Sequence, residues 1–233
     1  MLAVRGAFTI VELLVVVAIL LALSSLALAV YHANSGSERT RSGARVAQAT
    51  LLGAKDRAAH AKEARGVRLI RDMTDPGLVT GFAYVAPIIP QPNGSQANSL
   101  LPFHQPMPLP GAVVIDLDNS SASVQALCLS GPVQSGSGTT VAADIDIMYS
   151  PRGMLTGPVT ALGPLHFLLN NIRDASANLN PIDPRNTGDK LVLTVFPQTG
   201  LVATFPIDPT DANHDGFADD LFHFAKLGIM AAQ

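Results

Sequence analysis

The sequence predicts an α+β protein in which one long N-terminal helix packs on an antiparallel, β-rich globular head. Three observations predict it. Leu13 to Val30 is an apolar run of 18 residues with no charge, and its only polar members are Ser24 and Ser25. Ala47, Thr50, Leu51, Ala54, Ala58 and Ala61 then recur at spacings of three and four, the period of a single helix face. Beyond Gly66, short apolar runs alternate with Pro- and Gly-rich turns, which is the pattern of strands.

Composition bounds the answer. A chain of 233 residues with 48% hydrophobic and 14% charged residues can bury a sizeable core. The formal charge of -3 gives no general attraction to nucleic acid. Charge is nevertheless uneven. Nine of the 15 Lys and Arg residues lie between Arg39 and Arg71, and twelve of the 18 acidic residues lie at or after Asp116. The basic stretch lacks interleaved aromatics, so it is expected to be a solvated helix face and not a nucleic-acid site. Cys128 is the single cysteine, which excludes an intrachain disulfide; in its apolar surroundings it is expected to be a buried structural thiol.

The first element extends from Phe8 to Tyr31, 24 residues and roughly 36 Å as a helix, enough to cross a bilayer. Glu12 interrupts its start. A carboxylate near hydrocarbon costs about 2.5–3.5 kcal/mol on insertion scales and is usually paired or neutralised. Physics leaves two readings open, a paired intramembrane carboxylate or a surface Glu near the positive end of the helix.

The run Gly6-Ala7-Phe8-Thr9-Ile10-Val11-Glu12-Leu13-Leu14-Val15-Val16 resembles the N-terminal signature of type IV prepilins and pseudopilins. In that family a short basic leader ending in Gly is removed by a prepilin peptidase ahead of the Phe, and the fifth mature residue is Glu. The resemblance implies processing at Gly6, Ala7 and Phe8 and a filament-assembly role for Glu12. Ala7 stands between Gly6 and Phe8, so cleavage after Gly6 makes Glu12 the sixth mature residue and cleavage after Ala7 makes it the fifth. Cleavage after Ala7 keeps the family register. The resemblance further implies a single-pass anchor in the inner (cytoplasmic) membrane, a head in the periplasm or outside, and other pilin or pseudopilin subunits as partners. The segments expected are a leader at 1–7, a membrane half of the helix at 8–31, an amphipathic half at 32–65 and the head at 66–233. An ordinary secretory signal cut near Ala27-Leu28-Ala29 is the competing reading. Arg39, Arg41 and Arg45 follow the span while only Arg5 precedes it, which by the positive-inside rule opposes an external head.

After Tyr31, the stretch His32-Ala33-Asn34-Ser35-Gly36-Ser37 is expected to weaken the helix, and Gly66 to end it. Strands are expected at Val67 to Arg71, Leu78 to Val85, Val113 to Leu117, Val124 to Leu129, Ile145 to Tyr149, Leu165 to Leu169, Leu191 to Phe196 and Leu201 to Phe205. Pro197-Gln198-Thr199-Gly200 forms the turn of the last hairpin. Two head features, the passage Ala58 to Ile70 and the run Ile147-Met148-Tyr149-Ser150-Pro151-Arg152-Gly153, resemble the minor pseudopilins of the H type.

No phosphate loop, G-x-S-x-G or H-E-x-x-H run is present, and the six histidines are scattered singly, so no catalysis is expected. Asp116 with Asp118, and Asp144 with Asp146, are spaced as paired carboxylates at strand spacing, but the expected reading is one polar face of a strand or its flanking turn. The stretch Asp211 to Asp220 places oxygen donors at alternate positions around a Gly, as calcium requires. It resembles the first nine positions of EF-hand-type loops and thrombospondin type 3 calcium repeats. That resemblance implies Ca2+ ligands at Asp211, Asn213, Asp215 and Asp219 and at the Phe217 carbonyl. Phe222 stands where an EF-hand has its bidentate Glu, with Asp220 or Asp208 as substitutes. A surface turn rich in Asp and Asn is the other reading. Together these give two expectations of different class: a pilin-like filament subunit, or a secreted or membrane-tethered calcium-dependent binding module.

Overall fold

The computed structural model describes residues 10–87, 100–102, 105–129, 133–134, 140–141, 145–177, 179–183, 185–186, 189–212 and 218–228, with only the backbone described over 26–36, 100–102, 129, 133–134, 140–141 and 158–159. Helix α1 (Ile10–Ala61) comes first, then strands β1 (Arg65–Arg71), β2 (Leu78–Pro87), β3 (Leu100–Pro102), β4 (Met107–Pro108) and β5 (Val113–Asp116). Helix α2 (Ala122–Leu129) leads to β6 (Val133–Gln134), β7 (Thr140–Val141), β8 (Ile145–Tyr149), β9 (Leu155–Thr156) and β10 (Leu165–Asn171). Helix α3 (Ile172–Ser176), β11 (Leu191–Phe196), β12 (Leu201–Pro206) and helix α4 (His223–Leu227) complete the described chain. The main sheet runs β12-β11-β10-β5-β2-β1-β8-β9, with β3 and β4 also paired to β2. Every neighbouring pair is antiparallel, so the α+β expectation holds.

Helix α1 spans 52 residues, about 78 Å at 1.5 Å per residue. Its second half packs across the sheet. Ala44, Ala47, Leu51, Ala54 and Ala58 are buried at 3%, 0%, 1%, 0% and 0% exposure, and their spacing of three and four keeps them on one stripe. Ala61, placed on that stripe by the spacing, is exposed because the helix ends there. Small side chains let the axis lie close to the strands. A Cβ at Gly43 would come 2.6 Å from Val113 Cγ1, and one at Gly53 would come 2.6 Å from the Tyr84 hydroxyl.

Three expectations change. The helix runs unbroken through His32–Ser37. Asn, Ser and Gly cost up to about 1 kcal/mol each in a helix, but without a proline no backbone hydrogen bond is sterically broken, and good helix formers flank both sides. The helix ends at Ala61, not at Gly66, and Lys62 takes the left-handed conformation with φ 54°. Gly66 lies instead within β1, paired with Val85 and Met148. There a Cβ would collide with the Ile147 carbonyl oxygen and Met148 Sδ. Finally, Val124 to Leu129 is not a strand but belongs to α2. Short apolar runs fit either period, and here Val124 and Leu127, three apart, are buried while Gln125 is exposed.

The sheet has two buried faces. Val67, Leu69, Phe82, Val113, Ile115, Ile147, Leu165, Phe167, Leu169, Leu193 and Val195 join the alanine stripe of α1 in one core. On the other face Leu168, Val192, Ala203 and Phe205 pack beneath Ala225 of α4, and Leu78 and Val114 beneath Ala175 of α3. Ala54→Leu places extra volume in the narrow seam between α1 and the sheet. It should destabilise the full chain in detergent by about 1–3 kcal/mol, measured by urea unfolding followed by circular dichroism. An unchanged midpoint would show that the seam has room and that the alanines are not required there.

Candidate functional site

The first half of α1 is an exposed apolar segment. Residues 10–25 are all exposed. Eleven large apolar side chains among them, from Ile10 at 80% to Leu23 at 59%, meet solvent on every side of the helix. A helix that is apolar all round is a buried or membrane-embedded element by composition. Glu12 lies in its first turn and is exposed. Ser25 turns its hydroxyl back to donate to the Ala22 carbonyl at 2.8 Å, which satisfies that donor within the helix. Among the described residues no helix is long and apolar enough to cross a membrane. The expected span 8–31 lies partly outside them, as do the processing residues Gly6, Ala7 and Phe8.

The acidic loop is described only at its ends. Asn213, Asp215 and Phe217 lie outside the described residues. Asp211 and Asp219 stand near the loop closure, where the Asp219 N–H donates to the Thr210 carbonyl at 3.0 Å and the Ala212 N–H donates to Asp219 Oδ2 at 3.0 Å. The two substitute ligands are engaged. Asp208 accepts from the Thr210 N–H and hydroxyl, and Asp220 pairs with Lys226 at 2.7 Å. Among the described residues no group of three or more His, Cys, Asp or Glu is placed to hold a metal ion.

The other candidate carboxylates are structural. Asp116 is 2% exposed and accepts from the Asn119 N–H at 3.0 Å and from Asn119 Nδ2 at 2.9 Å. Asp118 is exposed and does not share that environment. Asp146 receives Arg68 in a two-pronged contact at 2.8 and 2.9 Å across β1 and β8, while Asp144 lies outside the described residues. The Cys128 thiol is pushed up chiefly by burial, so it is not an activated thiolate.

Two arrangements escaped the sequence. Lys190 and Asp174, with side chains 2% and 3% exposed, form an ion pair at 3.5 Å. Burial depresses the Lys190 ammonium, and Asp174 is the first group to oppose that shift. The two residues lie in an ordinary polar stretch, with nothing in their spacing to signal burial. The second is a cleft of about 470 Å³ lined by Ser120, Ser121, Ser123, His166, Phe222 and Lys226 among others. His166 stacks on Phe222 with ring centres 5.4 Å apart, and its Nδ1 lies 2.9 Å from Thr194 Oγ1. Burial first and then Lys226 lower its pKa, against Asp220.

No family model and no curated protein matches the chain. Two crystal structures of the type IV minor pilin FimU from Pseudomonas aeruginosa are similar to it. One is 14% identical with a TM-score of 0.39, covering 71% of this chain and 92% of that one. The other, in a second crystal form, is 15% identical with a TM-score of 0.39, covering 72% and 90%. A similarity of that size does not define a family.

The histidine gives a pH test. A His whose folded pKa is lowered resists protonation in the native state, so the unfolded chain binds more protons below the ordinary value of about 6.5. Its penalty is absent above that pH and grows as the pH falls through it. The melting temperature of the wild type should therefore drop relative to His166→Phe as pH is taken from 7 to 5. A constant difference between the two proteins over that range would mean that the ring titrates freely.

Proposed function

We propose that the chain is a pilin-like structural subunit, inserted in a membrane and assembled into a filament, and that it acts without catalysis. The observation that carries this is the apolar, fully exposed first half of a helix whose second half is locked into the head. Covering eleven large apolar side chains removes a penalty on the order of 20 kcal/mol at about 1.5–3 kcal/mol each. Lipid can cover them before assembly, and parallel helices of other copies can cover them after it. The signature from Gly6 to Glu12 supports the same reading. A prepilin peptidase would cut ahead of Phe8 and leave an anchor in the inner membrane with the head on the periplasmic or outer side. A type II secretion pseudopilin of the H type, or a minor subunit of a type IV pilus, are the systems this proposal covers.

Glu12 has a defined part in it. Cleavage creates an α-amino group at Phe8, about 6 Å of helix rise before Glu12. In a bundle of staggered helices the amine of one copy can approach Glu12 of the next. Pairing offsets a cost that neither charge can escape alone near hydrocarbon.

The test is expression beside a prepilin peptidase, followed by sequencing of the mature N-terminus. Phe8 is expected, or Ala7 if the cut falls after Gly6. Retained Met1 would refute processing. A start at Val30 would mean secretion, and with it a melting temperature that falls on calcium chelation would favour the calcium-dependent binding module. Glu12→Gln should be inserted and cleaved as wild type yet be depleted from the sheared filament fraction. Equal incorporation would reduce Glu12 to a membrane-surface residue.

A further inference from the structure

The cleft beside α2 presents hydrogen-bond donors and apolar walls together. Helix α2 begins at Ala122, and the N–H groups of Ala122 and Ser123 have no acceptor among the described residues. Ser121 holds the N-cap position, whose side chain usually accepts from the N–H of the second or third helical residue, here Ser123 or Val124. Its Oγ instead accepts from the His166 N–H at 3.2 Å. The Ser121 hydroxyl proton has no acceptor among the described residues, although the residue is only 8% exposed. Ser123 is committed elsewhere, donating to the Leu162 carbonyl at 2.8 Å.

His166 is the second, independent observation. It is 6% exposed, and Thr194, at 0%, offers its hydroxyl to His166 Nδ1 alone among the described residues. If Nδ1–H donated instead, the buried Thr194 hydroxyl proton would be left without an acceptor among the described residues. Thr194 therefore donates to Nδ1, and the neutral ring carries its proton on Nε2. That nitrogen has no protein partner among the described residues and is not sealed in the interior, so it opens on the cleft that the ring lines.

Four donors thus belong to residues that line one cavity: the N–H groups of Ala122 and Ser123, the Ser121 hydroxyl and His166 Nε2–H. A carboxylate accepts about four hydrogen bonds, and the N-terminus of a helix favours negative charge. Lys226 lines the same cleft, and its ammonium is already paired with Asp220 at 2.7 Å. Pro164, Phe196, Phe222 and Ala225 supply the apolar wall. From these groups we infer that the cleft binds a carboxylate carried on an apolar body, of the kind an apolar residue presents at a peptide C-terminus. This goes beyond the filament reading and does not depend on it, because the cleft lies on the sheet face away from α1.

The probes are N-acetyl-leucine, its uncharged amide and sodium acetate, titrated into the full chain in detergent micelles by calorimetry. N-acetyl-leucine should bind at least tenfold more tightly than either of the others. Ser121→Ala and His166→Phe should each weaken it severalfold. In the wild type, binding should move the 15N resonance of His166 Nε2, a readout that needs no variant. Equal binding of the amide would reduce the cleft to an apolar patch. Equal binding of acetate would leave an anion site without the apolar specificity claimed. No heat of binding together with an unmoved His166 resonance would refute the inference outright.

Discussion

The head is built on the closeness of α1 to the sheet. The stripe of Ala44, Ala47, Ala54 and Ala58 around Leu51 buries little surface per residue, but it brings the helix backbone down onto β5, β1 and β10–β12. Larger residues on the strands then fill the seam from the other side, with Phe82, Phe167 and Ile147 fully buried. This division, small on the helix and large on the sheet, makes the helix position depend on methyl-sized fit. It also couples the two halves of α1. The described backbone contains no break between Ile10 and Ala61, so the apolar half and the half seated on the sheet are one continuous helix.

Electrostatics follow from that seating. The basic stem and acidic head evident in the sequence are in part partners within one chain. Arg41 reaches Asp189 at 3.6 Å, and Arg68 grips Asp146. The first pair is half-exposed and contributes little, about 0–1 kcal/mol. The second is four-fifths buried and two-pronged, and it ties β8 to β1 near the end of the helix. Lys55 adds a contact to an uncharged acceptor by donating to the Thr199 carbonyl at 2.9 Å, which ties the last hairpin turn to α1. Charge segregation along the chain thus need not mean a charged binding surface; folding brings the two ends of the distribution together.

The sequence made the long elements legible because each had a period and an edge. The alanine stripe, the β10 and β11 runs and the Pro197–Gly200 turn all appear where their patterns put them. Failures cluster where a local signal had two physical meanings. Gly66 could end a helix or permit close strand approach, and only the neighbouring Ile147 carbonyl decides. Val124 to Leu129 is too short for periodicity to distinguish helix from strand. The cleft was out of reach for a different reason. Ser121, His166 and Lys226 are far apart in the chain, and each is individually an ordinary residue. What brings the first two together is a loop-to-strand contact, in which Ser121 N–H donates to the His166 carbonyl and His166 N–H returns to Ser121 Oγ.

Strand β10 shows how one segment serves both faces without conflict. Leu165, Phe167 and Leu169 point toward α1, while His166, Leu168 and Asn170 point away. The alternation continues on its neighbours. Asp116 on β5 and Thr194 on β11 share the far face with His166 and Asn170, while Ile115, Leu193 and Val195 share the near one. On β5, β10 and β11 the near face is therefore apolar and seats the helix, whereas the far face mixes Leu168, Val192 and Phe205 with buried polar groups. A polar group buried there must find a partner or lose its hydrogen bond to water. Asn170 turns to Asp116, and Thr194 to His166. The His166 ring also lines the cleft. The parity of the strand thus separates the surface that holds α1 from the one that can receive a ligand, and a change on one face need not disturb the other.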